Sequence, residues 1–134
     1  MAKLASIEGI GPVSAEKLAA CGLTTTEDLL RDAGSAAGRK RLAEQSGFSE
    51  EQLLGWVNRA DLMRVKGVGE EFSDLLEVAG VDTVKELATR RADNLHAALQ
   101  RTNEASKLVR RPPTLAEVTG WIEHAGTLDP AVTH

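Results

Sequence analysis

Two glycines one residue apart are the first feature with chemical potential. Gly9-Ile10-Gly11 is followed by Pro12 and the apolar-striped run Val13-Ser14-Ala15-Glu16-Lys17-Leu18, which ends at Gly22. Such glycines can let a phosphate approach the backbone, because no Cβ stands in the way. They can equally form a tight turn between helices that touches nothing outside the protein. Basic side chains gather in three places: Arg39-Lys40-Arg41, Arg90-Arg91, and Lys107 with Arg110 and Arg111. The first cluster lies near a helix start, where positive charge opposes the macrodipole. A contact role and a solvated face paired with Glu44 both fit it. Arg90-Arg91 follow a short helix and suit a structural C-terminal placement. In the third cluster Pro112 and Pro113 make an extended, exposed loop, open to phosphate or to an acidic protein surface.

Signs of catalysis are lacking. His96, His124 and His134 are scattered, and no Cys/His cluster has metal-ligand spacing. Cys21 closes an apolar helix and reads as a buried, inert thiol. The chain has no Walker-type Gly-Lys-Ser/Thr and no nucleophile elbow. These features predict a protein that is not an enzyme and carries no metal or cofactor.

Composition sets the scaffold for these residues. The 134 residues include two Trp, two Phe and no Tyr, so the core must come from Leu, Val, Ile and Ala. Net charge is −4, with seven Lys/Arg against nine Asp/Glu in residues 1–61 and nine against eleven in 62–134. Neither half is a basic module, so any nucleic-acid contact must be local, against an unfavourable overall field. No apolar run approaches the ~20 residues of a membrane span. The N-terminus shows no secretory signal and the lone cysteine no disulfide framework, which points to the cytoplasm.

An internal repeat organises the chain. "LASIEGIGPVSAEKLAACGLTTTEDLL" (4–30) aligns with "LMRVKGVGEEFSDLLEVAGVDTVKELA" (62–88) at an offset of 58. Leu4, Gly9, Gly11, Leu18, Gly22 and Leu29 recur as Leu62, Gly67, Gly69, Leu76, Gly80 and Leu87. "SEEQLLGWV" (49–57) matches "TLAEVTGWI" (114–122) at an offset of 65, so the second half holds seven extra residues. Local signals place the elements. Gly11 and Gly69 read as N-caps of helices over roughly 12–21 and 70–79, with Pro12 where a missing N–H costs nothing. Gly22 and Gly80 fit left-handed C-terminal positions, followed by Leu23 and Val81 for Schellman-type caps. Thr25/Asp28, Thr83/Glu86, Ser49/Gln52 and Thr114/Glu117 have capping-box spacing, with Asp28 the shorter and poorer partner. A helix from Ser49 to about Met63 would close the first half and open the second. Trp56 and Trp121 recur at equivalent places and read as core, with Gly55 and Gly120 permitting close helix approach. Period-2 alternation is absent, so an all-α protein is expected.

The stretches Ile7-Glu8-Gly9-Ile10-Gly11 and Val65-Lys66-Gly67-Val68-Gly69 resemble the helix-hairpin-helix motif, whose hairpin is apolar-x-Gly-apolar-Gly. Residues 4–128, including "GWVNRADLMRVKGVGEE" and "TVKELATR", also resemble a bacterial family of duplicated helix-hairpin-helix proteins of unknown function. The resemblance implies two tandem units, residues 1–61 and 62–134, each with a degenerate second hairpin and sharing a central helix in one compact body. It further implies non-catalytic, sequence-nonspecific DNA binding through the first hairpin. The backbone N–H groups around Gly9, Ile10, Gly11, Val13 and Ser14 would meet phosphate oxygens at a helix N-terminus, with Lys17 one turn on. Arg39, Lys40, Arg41, Lys107, Arg110 and Arg111 would assist. At the second hairpin, Glu70 and Glu71 place carboxylates where a phosphate would sit, which reads as a structural turn flanked by Arg64 and Lys66. The alternative is a protein-interaction adaptor in which both hairpins only shape the chain.

Overall fold

The computed structural model describes residues 3–133, whose regular elements are all helices. A 3-10 turn at Leu4–Ser6 precedes α1 (Pro12–Ala20), α2 (Thr26–Ala33), α3 (Ala36–Ser46) and α4 (Glu50–Leu62). α5 (Glu70–Val78), α6 (Val84–Ala88), α7 (Ala92–Ser106) and α8 (Leu115–Ala125) follow. Among the described residues the only extended pairing is one isolated bridge, Lys3 with Thr25. The chain divides into two compact units. One holds the residues up to Asp61 together with those from Ala131 onward; the other is Leu62–Pro130. The first unit therefore takes in the segment Ala131–Thr133, which the repeat boundary alone assigns to the second half. The chain crosses between the units within the last turn of α4 and again at Pro130–Ala131.

Helix ends follow from local chemistry. In both units the chain leaves its first full helix through a left-handed glycine, Gly22 (φ 85°) and Gly80 (φ 97°). Leu23 N–H then donates to Leu18 O at 3.0 Å, and Val81 N–H to Leu76 O at 2.9 Å, closing Schellman caps. Thr25 and Thr114 form full capping boxes with Asp28 and Glu117. Thr83 accepts from the Glu86 N–H, but the Glu86 carboxylate pairs with Arg90 at 2.8 Å. The shorter Asp28 thus completes its box, whereas the longer Glu86 is drawn to a cation one turn on. Ser49 accepts from the Gln52 N–H at 3.0 Å, as its spacing predicts.

Each core is built from the apolar stripe around these caps. Leu4, Ile7, Ile10, Leu18, Leu23 and Leu29 are buried in the first unit. Residues 58 positions later, Leu62, Val65, Val68, Leu76, Val81 and Leu87, are buried in the second. The left-handed turn glycines lie against the tryptophans. Gly9 (φ 93°) and Gly67 (φ 90°) are left-handed, and a Cβ on them would stand 3.2 Å from Trp56 Nε1 and 3.1 Å from Trp121 Nε1. Phe48 meets Trp56 edge-on at 4.9 Å between ring centroids, and Phe72 meets Trp121 at 5.0 Å. A cation covers each phenyl ring, Lys17 at 5.6 Å from the Phe48 centroid and Arg111 at 5.9 Å from that of Phe72. Gly55 and Gly120 do not serve helix approach. A Cβ on Gly120 would meet nothing outside its own helix within 4 Å, and one on Gly55 would meet only Arg59 Nη1, at 3.6 Å.

The hairpin glycines differ in what they tolerate. Gly9→Ala and Gly67→Ala should each cost about 1–3 kcal/mol in urea unfolding, since a Cβ is strained at positive φ and presses on the indole. Gly11 and Gly69 have φ of −83° and −103° and open space around them. Gly11→Ser and Gly69→Ser should therefore be neutral or stabilising by a few tenths of a kcal/mol, about what a hydroxyl N-cap offers over glycine.

Two carboxylates make stability sensitive to acid. The Thr24 N–H, with further bonds from Thr24 and Thr25, lowers Asp28 from 3.8 to about 2. Arg111, and then the Thr114 N–H, lower Glu117 from 4.5 to about 2. A carboxylate depressed in the folded state stabilises it above the unfolded pKa and loses that contribution as pH falls through the folded one. Urea midpoints should therefore drop between about pH 4.5 and pH 2. Asp28→Asn and Arg111→Met should each flatten that acid limb; equal limbs in wild type and both variants would refute the assignment.

Candidate nucleic-acid interface

The first glycine turn ends on Gly11, the N-cap of α1, with Pro12 at the first helical position. Ala15 N–H bonds to Gly11 O at 2.9 Å, which starts the helical ladder. Among the described residues the N–H groups of Gly11, Val13 and Ser14 have no acceptor in the protein, and the first turn of α1 carries no acid. These donors sit at the positive end of the α1 dipole. Ile10 departs from the expected donor set. Its N–H is spent on Ile7 O at 3.1 Å, and its side chain is buried to close the turn. Val13 stands 66% exposed beside the open donors. Lys17 does not reach back to them; it lies in the last turn of α1, over Phe48.

The glycine turn at Gly67–Gly69 has a similar backbone with different electrostatics. Val68 N–H bonds to Val65 O at 3.0 Å, the counterpart of the Ile10 bond. Glu70 and Glu71 occupy the first turn of α5, and both are exposed. They set negative charge at the end of the helix that would attract an anion. His124 adds a tie seen in this unit, its Nδ1 accepting from the Lys66 N–H at 2.9 Å.

The basic clusters separate on inspection. Arg39 is a correction: it is 4% exposed and cannot meet a phosphate. Its guanidinium donates to Ala33 O at 3.1 Å and Gly34 O at 2.9 Å, capping the end of α2, and also to Thr133 O. Burial pushes its pKa down, with the Glu50 carboxylate acting against that shift. Lys40 and Arg41, its neighbours on α3, are exposed. In the second unit the segment after α7 is only partly the exposed loop its prolines suggest: Lys107, Arg110, Arg111 and Pro112 are exposed, but Val109 and Pro113 are buried. Buried Asn103 donates to Val109 O at 3.1 Å and accepts from the Val109 N–H at 2.9 Å. That clamp follows a left-handed Lys107 (φ 51°). Lys107 and Arg110 border one concavity with Glu71, so the basic loop faces the acid of the second hairpin. Arg111 is committed elsewhere, paired with Glu117 at 2.7 and 3.2 Å and lying over Phe72.

Cys21 is half-buried at the end of α1 rather than sealed in the core. Among the described residues no group of three or more His, Cys, Asp or Glu could hold a metal ion, and His134 lies outside those residues. No helix among them is long and apolar enough to cross a membrane.

The sequence missed the burial of Arg39 and the Phe–cation layers. Gly34, five residues before Arg39, was the available clue to a crowded corner. No curated protein and no solved structure matches the chain. A family model described as "Domain of unknown function (DUF4332)" matches residues 8–128, and the chain belongs to that family.

Proposed function

We propose that the chain is a non-catalytic, sequence-nonspecific DNA-binding module made of two tandem helix-hairpin-helix units that arose by internal duplication. The duplication reading is supported by the six buried apolar positions that recur 58 residues apart and by the left-handed glycine on a tryptophan in each unit. One observation carries the DNA reading. The N-terminus of α1 presents the Gly11, Val13 and Ser14 N–H groups without an internal acceptor and without an acid in its first turn. Phosphate oxygens complete that geometry, and such contacts hold a duplex without reading its bases. Exposed Lys40 and Arg41 supply cationic support from the same unit. The second hairpin serves the fold, because Glu70 and Glu71 satisfy the dipole and repel phosphate.

A protein-interaction adaptor is the second reading. It is favoured by Val13, whose 66% exposure puts an apolar side chain at the tip of the hairpin. Net charge of −4 also suits it.

Gly11→Asp separates the two with opposite signs in two measurements. Gly11 has open space and ordinary φ, so an aspartate fits and caps α1 from the N-cap position. Thermal stability should stay level or rise, while affinity for a short DNA duplex at low salt should fall by about tenfold or more. In wild type the affinity should drop with salt, with a log–log slope of about −2 to −3 if two or three cations each displace a counterion. Gly69→Asp is the matched control and should leave binding unchanged. Salt-independent binding, or equal binding by wild type and Gly11→Asp, would refute the hairpin reading.

A further inference from the structure

The corner between α2 and α3 has the build of a ligand slot, and the chain itself fills it. Gly34 has φ −66°, which any residue adopts, so its glycine is not required by backbone conformation. It is required by space: a Cβ there would collide with the carbonyl oxygens of Ala131 and Leu30. The segment Ala131–Thr133 is thus packed directly on the Gly34 backbone. Thr133 N–H donates to Gly34 O at 2.9 Å, and Arg39 Nη2 donates to Thr133 O. The peptide group atoms of residue 133 are read from both sides, one by main chain and one by a buried guanidinium. Val132 is 9% exposed, between half-buried Ala131 and exposed Thr133, so one side chain of the segment is sunk into the unit.

We propose that this slot is a peptide-binding site, held in cis by Ala131–Thr133 and open to an extended strand of a partner protein that displaces them. Three features define its ligand class. The strand must bring a carbonyl against Gly34, bury a β-branched apolar side chain at the next position, and follow it with a residue that keeps its N–H. Proline is excluded at that last position because the bond to Gly34 O would be lost. Arg39 is positioned for this task by Ala33 O and Gly34 O, so its fork is ordered before the third carbonyl arrives. The resident segment is joined to the second unit through residues 126–130, most of which are exposed. A tethered ligand of this kind competes at an effective concentration of about millimolar, so a strand in trans wins when it binds better or when the resident one is weakened.

The probe is an acetylated, amidated peptide of residues 129–133, titrated onto the intact chain and followed by NMR at the Gly34 amide and the Arg39 side chain. In wild type the Thr133 amide should exchange slowly, and peptide binding should need millimolar concentrations. Val132→Gly in the intact chain removes the buried side chain of the resident strand and should tighten peptide binding about tenfold. Arg39→Gln should abolish it. Should that variant fail to fold, the same peptide carrying Thr133→Pro supplies the second arm and should not bind Val132→Gly. Equal affinity for wild type and Val132→Gly, or binding of the proline peptide, would overturn the proposal. So would a concentration-dependent dimer of wild type without peptide, because exchange between copies would then fill the slot.

Discussion

A glycine in left-handed conformation lying on the edge of a tryptophan is the contact on which each unit depends. Gly9 rests on Trp56 and Gly67 on Trp121, at separations that a Cβ would already crowd. Each glycine turn is thereby fixed to the last helix of its own unit, and the helix that follows the turn starts from a defined place. The tryptophan is held in turn by a phenyl ring, and the phenyl ring is covered by a cation. The two units reach this stack by different routes. Phe48 precedes the tryptophan helix and Lys17 comes from the hairpin helix; in the second unit Phe72 comes from the hairpin helix and Arg111 precedes the tryptophan helix. The sources have been exchanged, yet the order of layers is the same. What is constrained is the support under the glycine, not the residue that gives it.

That exchange explains what the sequence could and could not reveal. Helix starts and ends were legible because they depend on chemistry three to five residues apart. Gly22 and Gly80 form Schellman caps, and Thr25 and Thr114 form boxes, as spacing alone predicts. The all-helical class followed from the same local signals. The phenyl–cation layers were hidden because Phe48 and Phe72 occupy no equivalent position in the aligned halves. Arg39 was hidden for a stronger reason: one of its acceptors is Thr133, 94 residues further along the chain. A run of three basic residues reads as surface until a distant carbonyl is known to bury one of them. Gly55 and Gly120 misled in the opposite sense, since glycine on a helix suggests contact, yet both face open space or a single arginine.

The units are alike in framework, and the difference between them is electrostatic. α1 begins with proline, valine and serine, and leaves its N–H groups and dipole unanswered within the protein. α5 begins with two glutamates, whose carboxylates set negative charge at the positive end of its dipole. Nearby cations follow the same division. Lys107 and Arg110 border a concavity with Glu71, and Arg111 is tied to Glu117, so the positive charge of the second unit is largely met by its own acids. In the first unit Arg39 is internal, while Lys40 and Arg41 remain exposed.

The central claim is that only one of the two glycine turns is a phosphate site, and amide mapping tests it most directly. A short DNA duplex titrated into the isotope-labelled chain at low salt should shift the amides of Gly11, Val13 and Ser14, with the shifts fading as salt is raised. The amides of Gly69, Glu70 and Glu71 should stay in place. Comparable shifts at both helix starts, or shifts that spare α1 while appearing elsewhere, would contradict the account.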